Sequence, residues 1–239
     1  MKSVSVSSEI YRESFDHGPG GWFGWKNNLE GPEALAISDG IAIARSPWWI
    51  DYNHAPPGAG YLHMLFCLLT KGPGFGEAYM EAGGYNQFVE GGFSTNFTNA
   101  IISVRLKGEL ETRGAELILL VQSSASGVTS GWALKSQPIG VTSQWTEQAI
   151  NLNPDSSRWI CLGSRHDRTK SYGRIDLKTV LQDVVNIVFI LFPLTVVPMG
   201  PIPGDPNILR AGKDYPVWRS RLPEGYVMLD EIRIQFNRK

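Results

Sequence analysis

The sequence has almost no net charge, because 22 lysine and arginine residues stand against 23 aspartate and glutamate residues over 239 positions. A protein that binds nucleic acid or an anionic membrane through its charge usually carries a clear excess of basic residues. We therefore expect neither nucleic acid nor a membrane as the partner of this chain.

Cysteine is also scarce. Only Cys67 and Cys161 occur, in the apolar stretches LFCLL and WICLG, and the sequence contains no CxxC pair. This excludes a thiol-redox motif and a zinc ribbon. We expect two buried, reduced thiols, and a disulfide between them is the alternative.

Long hydrophobic runs are missing as well. The longest apolar stretch, Val184–Met199, contains Asn186 and Pro193, and it is shorter than the ~20 residues that span a bilayer. Its Val, Ile and Phe content predicts a strand at Val185–Phe192 that is buried on both faces. The N-terminal segment MKSVSVSSEIYRESF has no apolar core of the length of a secretory signal, which favours a cytoplasmic protein.

Common catalytic motifs are absent too. The sequence has no GxSxG nucleophile elbow, no GxxxxGK[ST] phosphate loop and no HExxH zinc motif. The glycine-rich stretch Gly72–Gly76 lacks the strand and helix that flank a dinucleotide-binding loop. We therefore expect no organic cofactor, and the chemistry has to be sought in clusters of side chains.

Glycine, proline and aromatic residues are abundant: the chain has 26 Gly, 15 Pro and 8 Trp. High turn content with many aromatic residues is typical of all-β proteins. Asp39-Gly40 predicts a tight hairpin, and strict alternation over Gly60–Thr70 would place Cys67 on the same face as Tyr61 and Leu65. The one predicted helix follows Asp176 as its N-cap.

No linker or repeat divides the chain, so we expect a single domain over residues 1–239. The proline-rich stretch 197–225 is too long for an ordinary connection. We interpret it as a lid or binding loop, and the alternative is a flap that covers a sheet edge.

Three stretches carry a resemblance: the opening SFDHGPGGW, the run from Ile101 to Leu152 that ends in QWTEQAINL, and the closing YVMLDEIRIQF. They resemble the β-jelly-roll sandwiches of the galactose-binding-like and carbohydrate-binding-module type. The resemblance implies a single-domain jelly-roll β-sandwich with one short helix, and a carbohydrate as its partner.

The resemblance also implies a structural calcium that joins the first and last strands, with Asp16 (or Glu13) and Asp230 as its carboxylate ligands. Calcium takes about six to eight oxygen ligands, so main-chain carbonyl groups would complete the shell. The alternative is that Asp16 is a turn residue and Asp230 an exposed strand residue.

The stretch SPWWIDYNHAPPGAGYLH, residues 46–63, is the densest in chemically useful side chains. Trp48 and Trp49 could stack on sugar rings. A histidine can transfer a proton near neutral pH, and a neighbouring carboxylate can orient it. The alternative is that both tryptophans belong to the core and that His63 is a strand residue with satisfied hydrogen bonds.

Acid/base chemistry would use four residues of this stretch. His54 would be the acid or base, Asp51 would orient it, and Tyr52 or His63 would be the complementary proton donor. A second substrate-binding cluster contains Arg165, His166 and Arg168. The charges of Arg165 and Arg168 would hold an anionic group, and Trp218 would add a stacking ring. The alternative for the second cluster is a solvated charged loop.

The leading hypothesis is a carbohydrate- or glycoside-recognising protein that acts on its ligand as a lyase or a hydrolase. The first alternative is a non-catalytic carbohydrate-binding module. A cyclase or isomerase for small molecules on the same fold is the second, and the fold alone does not decide between them.

Overall fold

The computed structural model describes residues 9–27, 31–51, 61–72, 81–125, 127–162, 175–197, 199–200 and 219–237. These residues form two antiparallel β-sheets packed face to face, which confirms the all-β sandwich expected from the sequence. The strands are β1 (Ile10–Glu13), β2 (Trp22–Asn27), β3 (Gly31–Glu33), β4 (Ala36–Ser38), β5 (Ile41–Arg45), β6 (Ile50–Asp51), β7 (Tyr61–Leu69), β8 (Ile101–Glu111), β9 (Glu116–Ala125), β10 (Val128–Ala133), β11 (Thr146–Asn151), β12 (Ile160–Leu162), β13 (Asn186–Leu194) and β14 (Glu224–Gln235). The helical segments are short: α1 (Gln87–Glu90), α2 (Leu177–Gln182), a 3₁₀ helix at Ser156–Arg158, and residues 81–83.

The first sheet has the strand order β11-β8-β14-β5-β4, and β1 also pairs with β14. One edge of β14 pairs with β8 along its length, while β5 and β1 share the other edge. The second sheet has the order β12-β10-β9-β13-β7-β2-β3, and β6 also pairs with β7. Because β6 directly follows Trp48 and Trp49, this pairing brings the two tryptophans to the start of β7.

The first sheet has one face in the core and one face in solvent. In β8 the buried side chains of Ile102, Val104 and Leu106 alternate with more exposed ones such as Arg105. This alternation is typical of an antiparallel strand at the surface of a sandwich.

The second sheet is buried on both faces. In β13, Ile187 and Phe189 pack between the two sheets, whereas Val188 and Ile190 pack in a second apolar layer on the opposite face. This confirms the prediction that the apolar run at Val185–Phe192 is a strand buried on both sides. The face that carries Val188 is called the outer face of the second sheet below.

Strand β7 departs from the expected strict alternation. Phe66 pairs with Phe189 and Met64 with Ile190, so the ladder shifts register at Leu65. Leu65 and Phe66 therefore both pack between the sheets, and Cys67 lies on the outer face. The expectation that Cys67 shares a face with Leu65 is wrong, because a bulge reverses the phase of a strand.

Turn and cap signals were reliable. Asp39 and Gly40 have φ angles of 52° and 72°, and they form the hairpin between β4 and β5. The carboxylate of Asp176 accepts a hydrogen bond of 3.0 Å from the Thr179 main-chain N–H and caps α2. Helix α1, which Asn86 caps, was not predicted.

Three further expectations concern the whole chain. None of the helices in the described ranges is long and apolar enough to cross a membrane.

Both cysteines are reduced thiols; Cys67 is buried as expected, but Cys161 is only half-buried. Of the expected lid, residues 198 and 201–218 lie outside the described residues, and the single domain stays a prediction.

Candidate functional site

Trp48 and Trp49, the two expected stacking rings, are each only 8% exposed. Successive side chains in an extended segment point to opposite faces. Accordingly, Trp48 packs in the core between the sheets, and Trp49 packs in the layer on the outer face of the second sheet. The Trp49 ring lies 5.8 Å from that of Trp25. The sheet therefore separates the two rings.

His63 is fixed in one tautomer. Its Nδ1 atom lies 3.0 Å from the main-chain oxygen of Trp49. A carbonyl oxygen only accepts hydrogen bonds, so Nδ1 carries the proton and Nε2 presents a lone pair. Burial lowers the pKa of His63 to about 4, although the hydrogen bond to Trp49 acts in the opposite direction. The ring is therefore neutral at pH 7.

Asp51 does not lie beside His63. It pairs with Leu62 across the β6–β7 ladder, whereas His63 pairs with Ile50. Directly opposed residues share a face, so Asp51 lies on the outer face with Leu62. Asp51 is fully buried. Burial and, to a lesser degree, the Asp51 charge raise the pKa of the Cys67 thiol.

The Trp48 and His63 rings form a pair, with centroids 5.9 Å apart. Among the residues that the structure describes, neither Trp48 Nε1 nor His63 Nε2 has a hydrogen-bond partner. Trp49 Nε1 is likewise buried without a described partner. Buried polar atoms without partners are rare in proteins, and each costs about 1–3 kcal/mol. An ordered water or a ligand can supply such a missing bond.

An open groove of about 490 Å³ lies beside the start of β14, at Glu224. It is lined by Ser46 and Pro47, which directly precede Trp48, and by residues 220–224. The Ser46 hydroxyl accepts a hydrogen bond of 3.0 Å from the Gly225 main-chain N–H. This bond joins positions 179 apart, so the sequence offered no local signal for the groove.

Several expected site residues lie outside the described residues. These are Tyr52, His54, Arg165, His166, Arg168 and Trp218. Their roles stay predictions. Of the expected acid/base group, the structure places only Asp51 and His63, and it places them on opposite faces of the second sheet.

The expected calcium ligands have other contacts. Asp16 accepts a hydrogen bond of 2.7 Å from the Ser14 hydroxyl, and Asp230 forms an ion pair with Arg105. Across the described ranges, no three His, Cys, Asp or Glu side chains are grouped so that they could hold a metal ion. The donor set around Asp16 and Asp230 therefore does not fit calcium by itself, and the ion stays a prediction of the resemblance.

Glu13, the alternative ligand, is a buried carboxylate that is 2% exposed. Its Oε1 atom accepts a 2.8 Å hydrogen bond from the Phe15 main-chain N–H. Its Oε2 atom is buried without a described partner. Burial raises the pKa of Glu13 above its usual range. By accepting the bond from Phe15, the Glu13 carboxylate stabilises the turn after β1. The sequence analysis did not predict this role.

No protein-family model matches the sequence, and no curated protein matches it. Among solved structures, the L4b domain of human laminin alpha-2 is 8% identical, with a TM-score of 0.41 over 96% of this chain and 98% of that one. The immunostimulatory antigen and pseudo β-1,3-glucanase of Mycobacterium tuberculosis is 10% identical, with a TM-score of 0.40 over 95% and 98%.

The CBM2 module of the evolved Dit of Lactobacillus casei BL23 phage J-1 is 12% identical, with a TM-score of 0.29 over 98% of this chain and all of that one. All three neighbours are β-sandwiches. Because every TM-score is below 0.5, the functional argument rests on the residues of this chain.

Proposed function

We propose that this chain binds a carbohydrate or glycoside at the end of the sandwich where Ser46 lines the groove and Trp48 packs beside His63. The observation that carries the proposal is the pair of buried ring nitrogens without described partners, Trp48 Nε1 and His63 Nε2. One is a donor and the other an acceptor.

Sugar hydroxyl groups complement this pair, because each hydroxyl both donates and accepts hydrogen bonds. Both nitrogens are buried and neither Trp48 nor His63 lines the groove, so a sugar in the groove would reach them through an ordered water that accepts from the indole N–H and donates to His63 Nε2. The groove of about 490 Å³ has the size of a site for one or two sugar rings. Its lining includes both an arginine, Arg221, and a carboxylate, Glu224.

The chemistry of His63 favours binding over proton transfer. An efficient general acid or base has a pKa near the working pH, whereas burial lowers the pKa of His63 to about 4. Its proton is on Nδ1 and is engaged by the Trp49 carbonyl. His63 therefore acts as a hydrogen-bond acceptor, and the expected role of complementary proton donor would fall to Tyr52.

A second candidate function is turnover of the carbohydrate by a lyase or hydrolase reaction that uses His54 with Asp51 and Tyr52. The observation that favours it is the complete burial of Asp51 three positions before His54. A fully buried carboxylate is rare in proteins. Because Asp51 lies on the outer face of the second sheet, this reaction would take place there and not beside Trp48 and His63.

Binding is tested by titrating the protein with neutral and acidic oligosaccharides and plant-type glycosides while tryptophan fluorescence is recorded. Trp48→Phe keeps an aromatic ring and removes the indole nitrogen. His63→Asn keeps an N–H near the Nδ1 position and removes Nε2. We expect each variant to weaken binding about fivefold, because a lost hydrogen bond to a neutral group costs about 1 kcal/mol.

Trp145→Phe is the matched control, because Trp145 packs against Arg105 and Lys107 on the first sheet. Saturable binding that Trp48→Phe and His63→Asn leave unchanged would overturn the proposed site. Mass spectrometry of the same mixtures tests turnover: a gain of water indicates hydrolysis, and an unchanged summed mass indicates elimination. A new product that His54→Ala abolishes would favour the second candidate.

A further inference from the structure

A second cleft, of about 380 Å³, is lined mostly by amide side chains. Its polar lining residues are Asn99, Asn151, Asn153, Arg158 and Asn237. We call it the amide cleft. No aspartate or glutamate lines it, so the lining carries one positive charge.

The amide cleft is remote from the groove at Ser46. Ser46 contacts Gly225, near the first residue of β14, whereas Asn237 lies just beyond Gln235, the last residue of that strand. A strand rises about 3.3 Å per residue, which puts the two sites roughly 35 Å apart along β14. The amide cleft can therefore be tested separately from the proposed function.

Buried neighbours hold the backbone of the cleft in place. The Asn99 main-chain N–H donates to the Leu152 oxygen at 3.0 Å, and Leu152 is fully buried. The indole N–H of Trp159, which is 3% exposed, donates to the Asn153 main-chain oxygen at 2.9 Å. Asn237 Nδ2 donates to the Asn99 main-chain oxygen at 2.6 Å. A site whose backbone is already ordered loses less entropy when a ligand binds.

The side chains, in contrast, keep free hydrogen-bonding capacity. Within the described part of the chain, no hydrogen bond engages the side-chain amides of Asn99 and Asn151. Asn237 has its Oδ1 atom left over, since only its Nδ2 atom is bonded. Arg158 uses Nε to donate to the Ser136 hydroxyl at 3.1 Å. Its terminal nitrogens form no ion pair with any described carboxylate, although the guanidinium charge interacts with the nearby exposed carboxylate of Asp155.

We propose that the amide cleft binds an acidic saccharide through a uronic-acid residue. The terminal nitrogens of Arg158 would hold the sugar carboxylate, for which a guanidinium group is a well-matched partner. The Asn99 and Asn151 amides, which both donate and accept, would take the hydroxyl groups. A cleft of about 380 Å³ accommodates one or two sugar rings.

The test compares digalacturonate with its neutral counterpart, galactobiose, in NMR titrations that follow the side-chain amide signals of Asn99 and Asn151. We expect digalacturonate to bind at least tenfold more tightly and to shift both signals. Arg158→Gln removes the charge and is expected to reduce this preference to near unity. Asn151→Asp places a carboxylate in the cleft and is expected to abolish digalacturonate binding.

Arg12→Gln is the matched control, because Arg12 pairs with Glu231 on the first sheet, away from the cleft lining. Trp48→Phe distinguishes this site from the proposed function. In this variant we expect digalacturonate to shift the Asn99 and Asn151 amide signals as it does in the natural chain. Equal affinity for both sugars, an unaltered preference in Arg158→Gln, or amide signals that neither sugar shifts would each overturn the inference.

Discussion

The Nδ1 atom of His63 in β7 lies 3.0 Å from the main-chain oxygen of Trp49, at the point where the chain enters β6. This single bond fixes the tautomer of a histidine that is 1% exposed. The Trp49 carbonyl oxygen alone does not fully compensate a positive charge on the buried His63 ring. The protonated ring is therefore unfavourable in the folded state.

This relationship predicts how stability depends on pH. The folded pKa of His63 is about 4, below the ordinary value of about 6.5 in the unfolded chain. Between these pH values the unfolded chain binds the extra proton, so the free energy of unfolding falls as pH falls from about 6.5 to 4. The loss attributable to His63 is about 3 kcal/mol, measurable by urea unfolding.

His63→Asn provides the control, because it keeps a donor to the Trp49 oxygen and does not titrate. Glu13, whose pKa burial raises, contributes with the opposite sign in both proteins and cancels in the difference. We expect the stability advantage of the natural chain over His63→Asn to shrink from pH 7 to 4. A stability difference that stays constant with pH would contradict the low pKa of His63. A His63 imidazole that titrates near pH 6.5 by NMR would contradict it as well.

Gly20 is adjacent to the Glu13 carboxylate, and this contact leads to a second prediction. A Cβ atom on Gly20 would lie 1.6 Å from Glu13 Oε2. Glu13 cannot move without breaking its hydrogen bond to Phe15, which has a φ of 57°. We expect Gly20→Ala to destabilise the protein by about 3 kcal/mol, the sum of a left-handed backbone and a disrupted buried carboxylate.

Gly92→Ala is the matched control for Gly20→Ala. Gly92 has a similar φ of 65°, but nothing lies within 4 Å of an added Cβ atom. We expect a loss of only about 1 kcal/mol there, from the backbone conformation alone. Equal losses in the two variants, measured by thermal and urea unfolding, would show that the Glu13 contact does not matter.

Local signals predicted the elements that short-range chemistry decides. The Asp39-Gly40 hairpin, the Asp176 cap and the doubly buried strand β13 all follow from residues that are neighbours in the chain. Strand β8 continues through Gly108 to Glu111 although these residues have weak strand propensity, because pairing with β14 overrides it.

The site was harder to predict, because it depends on which face each side chain occupies. Residues 46–63 were expected to bring their aromatic and ionisable side chains into one site, but the alternation of an extended segment puts Trp48 and Trp49 on opposite faces. The amide cleft gave no local signal, since Asn99, Asn151 and Asn237 come from three distant segments. Only the topology of the sandwich brings them together.

Asn86 gives a third prediction. Its Oδ1 atom accepts hydrogen bonds of 3.1 Å from the main-chain N–H groups of Phe88 and Val89, and its Nδ2 donates to the Leu69 oxygen at 2.8 Å. Because these groups are largely buried, we expect Asn86→Ala to cost about 2–3 kcal/mol. Urea unfolding measures the loss.

Asn96→Ala is the comparison for Asn86. The Asn96 side chain also accepts a main-chain hydrogen bond, of 3.0 Å from Thr98, but at an exposed position. We expect a loss below about 1 kcal/mol, because water replaces the exposed bond. A loss at Asn96 as large as that at Asn86 would contradict the importance assigned to the buried cap.

The two thiols give the last prediction, which concerns reactivity. Cys67 is fully buried, and burial together with the Asp51 charge raises its pKa. Cys161 is half-buried. Since the thiolate is the nucleophile, we expect a thiol reagent at pH 8 to label Cys161 in the folded protein, and Cys67 only after unfolding in urea. Cys161→Ser should then show no labelling until urea is added. Rapid labelling of folded Cys161→Ser would mean that Cys67 is accessible, and would contradict its burial on the outer face of the second sheet.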